Sequence, residues 1–411
     1  MISEKGKLLK EAEKQLSIAS SHDKNLALQY VREAIDENRK SILKANDRDI
    51  ENAHKINMSE GLIDRLKLDD ARIDGIIQAL DTVIKFEDPV WKSEKLWTTE
   101  EGLVITRMSA PLGVISIIYE SRPNVSVDAF SLAIKSGNCI LLRGSSSAIN
   151  SNLALVNAMK EGLRQSPISD HVLEFIDDTD REIVRDILTA NDYIDLIIPR
   201  GGKGLIDFVI KNASVPTLQT GQGNCHVFVD ANGNFDHALN IISNAKTQRL
   251  GVCNACETTL IHKDIADEFL PILYDKLKES VEFRGDEKSR SIIDIIEAKE
   301  KDWKEEYLAS ILAVKIVDNI DQAIEHINKY GTGHSESIVT ESLSNSIKFQ
   351  RQVDAATVYV NASTRFTDGG VFGFGGEMGI STQKLHARGP VGVEQLVSYK
   401  YLIQGQGHIR R

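Results

Sequence analysis

Apolar residues along this chain fall into two patterns. Over about the first eighty residues they recur at helical spacing, as at Leu28, Val31, Ile35, Ile42 and Leu43, among many charges. That spacing predicts amphipathic helices forming a covering layer. From Gly113 the pattern changes to short runs that are apolar throughout: Val114–Tyr119, Ile140–Leu142, Val172–Phe175, Ile194–Ile198 and Val227–Val229. Continuous runs separated by helical stretches fit strands buried on both faces, as in a parallel α/β sheet of dinucleotide-binding size. A second series follows, with strands expected near Thr258–Ile261, Ala313–Val317, Ser337–Thr340 and Thr357–Val360. It predicts a second lobe of the same class. The segments Trp91–Met108 and Gln395–Ile403 are rich in β-formers without a helical period and are expected to project as an arm.

At 411 residues the chain exceeds the size at which one core keeps growing, so two large lobes fit its length. A net charge of −11 and a pI near 5.5 argue against nucleic acid or an anionic membrane as the main partner, while leaving room for local basic pockets. No apolar run approaches the roughly 20 residues that span a bilayer. The start, Met-Ile-Ser-Glu-Lys-Gly, has no signal-peptide core. The cytoplasm is therefore the expected location. Four cysteines in so long a chain do not make a disulfide framework.

Cys253 carries the clearest chemistry. It sits in Arg-Leu-Gly-Val-Cys-Asn-Ala-Cys-Glu-Thr-Thr (249–259), a glycine-containing turn between a predicted helix, Phe235–Lys246, and a β-branched strand. A thiol presented there is a candidate nucleophile, although an isolated cysteine is more often a small core residue. Cys253 and Cys256 also spell C-x-x-C, but a zinc site needs two more ligands nearby. Cys139 and Cys225 stand alone on predicted strands, and no metal is expected. The segment Pro199-Arg200-Gly201-Gly202-Lys203-Gly204 reads as a strand end, a glycine turn and a helix start, whose backbone N–H groups suit an anion. A plain glycine connection explains it equally well. Arg143 and Gly144 end another buried strand, at the edge where open α/β sheets hold ligands, and Ser145-Ser146-Ser147 brings no carboxylate to repel a phosphate. A solvated strand-end charge is the alternative for Arg143.

Five long pieces stand out: Pro-Leu-Gly-Val-Ile-Ser-Ile-Ile-Tyr-Glu-Ser-Arg-Pro-Asn-Val (111–125), Pro-Arg-Gly-Gly-Lys-Gly-Leu (199–205), Gly-Val-Cys-Asn-Ala-Cys-Glu-Thr (251–258), Val-Asn-Ala-Ser-Thr-Arg-Phe-Thr-Asp-Gly-Gly (360–370) and 373–390. Together they resemble the γ-glutamyl phosphate reductase (glutamate-5-semialdehyde dehydrogenase) family of the aldehyde dehydrogenase superfamily. The resemblance runs nearly end to end. It implies an aldehyde-dehydrogenase-like α/β fold with a doubly wound NADPH-binding domain (1–90 and 111–230), an α/β catalytic domain (231–389) and a β-arm for oligomerisation (91–110 and 390–411). At least a homodimer is implied, and glutamate 5-kinase is a candidate partner, with direct hand-over of its unstable product left open by the sequence.

The implied reaction is reduction of L-glutamate 5-phosphate by NADPH to glutamate 5-semialdehyde, a step of proline biosynthesis. Cys253 is the implied nucleophile, forming a thioester, and Asn124 the oxyanion donor, with capping of the following helix as its alternative role. Arg122, Arg365, His386 and Arg388 are the candidates for the substrate's carboxylate and phosphate, and Arg143, Gly144, Arg200, Gly201, Gly202 and Gly204 those for the cofactor. Cys256 departs from the small or apolar residue usual at its position and is not expected to be catalytic. Hydrolytic relatives carry a water-activating glutamate where this chain reads Thr217-Leu218-Gln219-Thr220-Gly221-Gln222-Gly223. Without that base, phosphate and not water is expected to exchange with the acyl group. Two alternatives stay open: an NAD(P)-dependent oxidation of another carboxylated aldehyde, and a non-catalytic thiol or metal module built on Cys253 and Cys256.

Overall fold

The computed structural model describes residues 1–180, 182–374 and 376–410, which form two compact units. One comprises Met1–Thr220, Gly373–Gly379 and Val391–Arg411; the other comprises Gly221–Phe372 and Ile380–Pro390.

The first unit opens with five helices: α1 (Ile2–Leu16), α2 (Ser21–Glu37), α3 (Arg39–Lys55), α4 (Glu60–Leu66) and α5 (Asp70–Lys85). The helical spacing has the expected result, since Leu28, Val31, Ile35 and Ile42 are buried while the intervening charges face out. Ser20 caps α2 by accepting from the Asp23 N–H, which satisfies a donor that the helix start leaves over. Two strands follow, β1 (Ser93–Thr98) and β2 (Val104–Pro111). Then β3 (Val114–Tyr119), α6 (Asn124–Lys135), β4 (Cys139–Arg143), α7 (Ile149–Arg164), β5 (Leu173–Phe175), α8 (Glu182–Leu188), β6 (Leu196–Arg200) and α9 (Lys203–Asn212) alternate. The four strands from β3 on make a parallel sheet in the order β5-β4-β3-β6. The chain moves outward from β3 through β4 to β5 and returns on the other side with β6. Strand order therefore reverses between β3 and β6, the point where open α/β sheets leave a crevice at their carboxyl ends.

The second unit is built on β7 (Cys225–Val229), α10 (Phe235–Thr247), β8 (Cys256–His262), α11 (Lys263–Leu277), β9 (Glu282–Gly285), α12 (Glu287–Ile292), β10 (Ile296–Glu297), β11 (Ile311–Val317), α13 (Ile320–Tyr330), β12 (Ser335–Val339), α14 (Leu343–Gln352) and β13 (Thr357–Val360). All seven strands are parallel, in the order β10-β9-β11-β8-β7-β12-β13. Successive residues feed opposite cores. Val227 and Val229 pack with Ile261, Phe269, Leu270 and Leu312, whereas Phe228 packs with Leu260, Ile324, Ile338 and Phe349. Both faces are covered, so every position of the run gains from being apolar, at about 1.5–3 kcal/mol for each large side chain buried.

One expected boundary moves. Val227–Val229 was expected in the first domain, ending at 230, but β7 hydrogen-bonds to β8 and β12 of the second sheet, and the units part between Thr220 and Gly221. Residues 373–379, expected in the catalytic domain, cluster with the first unit as well. Short strands β14 (Ile380–Ser381) and β15 (Gly389–Pro390) pair antiparallel, and β16 (Val397–Gln404) completes an antiparallel sheet in the order β1-β2-β16. Leu96, Tyr399, Tyr401, Leu402 and Ile403 of this small sheet are exposed. Among the described residues no helix is long and apolar enough to cross a membrane.

Candidate active site

The loops at the amino-terminal edge of the seven-stranded sheet converge on Cys253. It lies between the end of α10 and the start of β8 and is half-buried, while the other three cysteines are buried. Burial raises the thiols of Cys139 and Cys225 far above the ordinary range and pushes that of Cys256 up to about 12. Cys256 packs into the core beside Val227 and Ile261. The C-x-x-C spacing thus spans one thiol at the edge and one inside the sheet, because Cys256 is already the first residue of β8.

Neighbouring loops fix the Cys253 backbone. After β13 the chain doubles back to the amino edge, where the Thr367 hydroxyl bonds Ser335 at 2.7 Å and Thr357 at 2.9 Å, each the first residue of its strand. From there Thr364 Oγ1 donates to the Asn254 carbonyl at 2.7 Å, and Asn254 Nδ2 donates to the Thr367 carbonyl at 2.9 Å. Arg365 Nη1 donates to Asn254 Oδ1, and its Nε to Gln248 Oε1 at 3.0 Å. Burial, and then the neighbouring Arg249, lower the Arg365 pKa, and Cys253 is among the charges acting on it in the opposite sense. Two guanidinium groups therefore concentrate positive charge at this edge.

On the other side runs the segment read as lacking a base. A Cβ on Gly223 would stand 1.2 Å from the Cys253 carbonyl oxygen and 2.7 Å from its Cα, so only glycine allows the two backbones to touch. The Cys225 thiol donates to the same carbonyl at 3.2 Å. Gly223 N–H donates to Glu306 Oε1 at 2.8 Å, and Gln222 Nε2 to Glu306 Oε2 at 3.2 Å. A carboxylate thus reaches this segment from a distant loop, with each oxygen already accepting a hydrogen bond. Sequence reasoning missed it, since Glu305-Glu306 looks like any charged connection.

The other candidates of this unit are dispersed. Arg388 Nη2 pairs with Asp354 Oδ1 at 2.7 Å, and Lys384 binds the same carboxylate at 2.6 Å. His386 is exposed in a turn with φ of 70°. Of the expected substrate residues in this unit, Arg365 is the one brought beside Cys253.

In the first unit the candidates follow the carboxyl ends of strands. Asn124 is the first residue of α6, after Pro123, and makes no capping bond; its Nδ2 donates instead to Asp128 Oδ2 at 2.9 Å. Arg122 is half-buried in the loop before it. Arg143 Nη2 reaches the carbonyls of Thr179 and Asp180 at 3.3 and 3.4 Å. Nearby, the hydroxyls of Ser145 and Ser147 pair at 2.6 Å, and Gly144 abuts Asn152. The glycine turn differs from expectation. Gly202 N–H donates to Glu120 Oε2 at 2.8 Å, and a Cβ on Gly201 would stand 2.5 Å from that oxygen, so a carboxylate from the end of β3 fills the expected phosphate position. Gly204 borders open space, and Arg200 pairs with Glu377 at 3.6 Å.

Comparison with known proteins agrees with this architecture. The aldehyde dehydrogenase family matches residues 10–292 and 289–401. A gamma-glutamyl phosphate reductase of Alkaliphilus oremlandii (strain OhILAs) is 58% identical over 408 residues, covering 99% of each chain. The crystal structure of the Thermotoga maritima gamma-glutamyl phosphate reductase superposes with a TM-score of 0.98 at 53% identity, covering 100% of both chains. That of the Saccharomyces cerevisiae gamma-glutamyl phosphate reductase has a TM-score of 0.55 at 28% identity, covering 99% of this chain and 98% of that one. The chain is an oxidoreductase of the aldehyde dehydrogenase family and belongs, within it, to the gamma-glutamyl phosphate reductases.

Proposed function

We propose that the chain reduces L-glutamate 5-phosphate to L-glutamate 5-semialdehyde and phosphate, with NADPH as reductant and Cys253 as nucleophile, in proline biosynthesis. The observation that carries this reading is the setting of Cys253: half-buried, at a loop edge, beside Arg365 and Arg249, while its three fellow cysteines are sealed in cores. The thiolate attacks the acyl carbon, the bond to the phosphate oxygen breaks, phosphate leaves, and a thioester remains. When bound, a nicotinamide dinucleotide supplies the two electrons that bring the thioester to the aldehyde level. The chain's own groups manage charge. Asn124 is assigned to the oxyanion of each tetrahedral species, and Arg365 to the negative charge of the substrate. Return of the electron pair to Cys253 sulfur releases the aldehyde.

The residues suit a phosphorylated cofactor on one side of the first sheet and not on the other. Arg143 with the hydroxyls of Ser145 and Ser147 offers a cation and donors for a 2′-phosphate, which favours NADPH. The Gly201–Gly202 turn faces Glu120, whose charge opposes a phosphate there, so Arg143 and the Gly204 side are the stronger candidates. The exposed apolar residues of the β1-β2-β16 sheet support self-association into at least a homodimer, which sedimentation would measure.

The test is NADP⁺ reduction by purified protein given glutamate 5-semialdehyde with and without phosphate. Phosphate-dependent turnover is expected. Equal turnover on unrelated carboxylated aldehydes without phosphate would favour the oxidative alternative.

A further inference from the structure

Asn124 is held by a chain of charged side chains. Its Nδ2 donates to Asp128 one helical turn on at 2.9 Å; the charge of Arg200, the last residue of β6, acts on Asp128; and Glu377 pairs with Arg200 at 3.6 Å. A side-chain amide is nearly symmetric in shape, yet its two ends are opposite in chemistry. An ionised carboxylate accepts and cannot donate. Asp128 as a carboxylate therefore admits only the –NH₂ end of Asn124, and so dictates where the remaining N–H points.

We infer that Asp128 is a positioning residue that orients the Asn124 amide as an oxyanion donor. This rests on the proposed role of Asn124 and goes beyond it, since nothing in that role requires a carboxylate.

The device is sensitive to pH. Asp128 as a residue is half-buried, but its carboxyl end is enclosed, and that desolvation raises its pKa to about 6, against the opposing pulls of the Asn124 bond and the Arg200 charge. Of the ionisable groups on the helices packed against α6, Asp81 of α5 pairs with Arg32 and Lys85 is exposed, and Lys160 and Arg164 of α7 pair with Glu174 and Asp170. Tyr119 of β3 bonds Ser126 at 2.6 Å. Lys24 of α2 meets the carbonyl of Lys135, and Lys135 itself binds Asn25 and the Ile84 carbonyl, all at the far end of α6. Glu394, on the short turn packed against α6, is exposed. As pH falls through about 6, Asp128 takes up a proton and can donate as well as accept, so it admits either end of the amide and the constraint is lost.

The experiment is steady-state kinetics from pH 5 to 8 on wild type, Asn124→Ala, Asp128→Asn, the double variant and Arg200→Met, with glutamate 5-semialdehyde, phosphate and NADP⁺. Asn124→Ala should lower kcat by about 10²–10³. Asp128→Asn should lower it by about ten- to a hundredfold at little cost in KM, and the double variant should match Asn124→Ala, because Asp128 acts only through Asn124. An acid limb near pH 6 in wild-type kcat should vanish in Asp128→Asn and move to higher pH in Arg200→Met, a shift that misfolding cannot mimic. If Asn124→Ala is impaired while Asp128→Asn is within twofold of wild type, or if the two losses multiply, the positioning role is overturned. If Asn124→Ala itself is near wild type, the oxyanion assignment fails first.

Discussion

The two parallel sheets present their candidate residues at opposite ends. In the four-stranded sheet Asn124, Arg143 and Gly202 follow β3, β4 and β6, and α6 and α9 begin there. In the seven-stranded sheet Cys253, Gly223, Glu306 and Arg365 gather at the starts of strands, and the helix before Cys253 ends there. The difference is electrostatic. A helix start offers backbone N–H groups and a partial positive charge, so the first sheet can serve an anion with its main chain, as Gly202 already does for Glu120. A helix end offers the opposite, so the second sheet must supply positive charge from side chains, and Arg365 and Arg249 do so.

The strongest way to break this comparison is at the thiol. Cys253→Ala should abolish turnover while leaving folding and cofactor binding intact, and Cys256→Ala, confined to the core, should retain most activity. Equal loss from both in parallel kinetic assays would mean that the two thiols act together. Next comes Gly223→Ala. The added methyl cannot coexist with the Cys253 carbonyl, so kcat should fall by about 10² while thermal melting still reports a folded chain. Wild-type kcat in that variant would show that the backbone contact does not position the nucleophile. The smallest effect belongs to the other sheet. Arg143→Ala should weaken NADPH more than NADH by about 1.5–3 kcal/mol in titrations of each cofactor, and a uniform loss would leave Arg143 only its role of holding the Thr179 and Asp180 carbonyls.

Which parts of this were legible in the chain follows from range. Val114–Tyr119 became a strand with those bounds because burial on both faces leaves a local, unbroken signal, and Thr357–Val360 did so as a half-buried run at the sheet's edge, read from its β-formers. Strands β9 and β10 gave no such signal, being short and carrying charge at the sheet's edge. Which sheet Val227–Val229 joins was also invisible, since pairing is decided by partners far along the chain. Cys253 stood out through its turn and its resemblance. Glu120 and Glu306 did not, because a carboxylate's use depends on which distant N–H it meets. The i, i+4 pair Asn124 and Asp128 was within reach of helical spacing, but only the geometry turned the amide from a helix cap into a donor to Asp128.

The central claim is that acyl-Cys253 is exchanged with phosphate and not with water. Its most direct measurement is a rapid-mixing trace of NADPH formation from glutamate 5-semialdehyde and NADP⁺ in phosphate-free buffer. Residues 217–223 hold no carboxylate, and the two Glu306 oxygens accept hydrogen bonds from Gln222 and Gly223, so this segment supplies no base of its own to activate water. The account predicts a burst of one NADPH per active site, then a stall that phosphate or arsenate relieves. Sustained NADPH formation without either anion, with free glutamate accumulating, would contradict it.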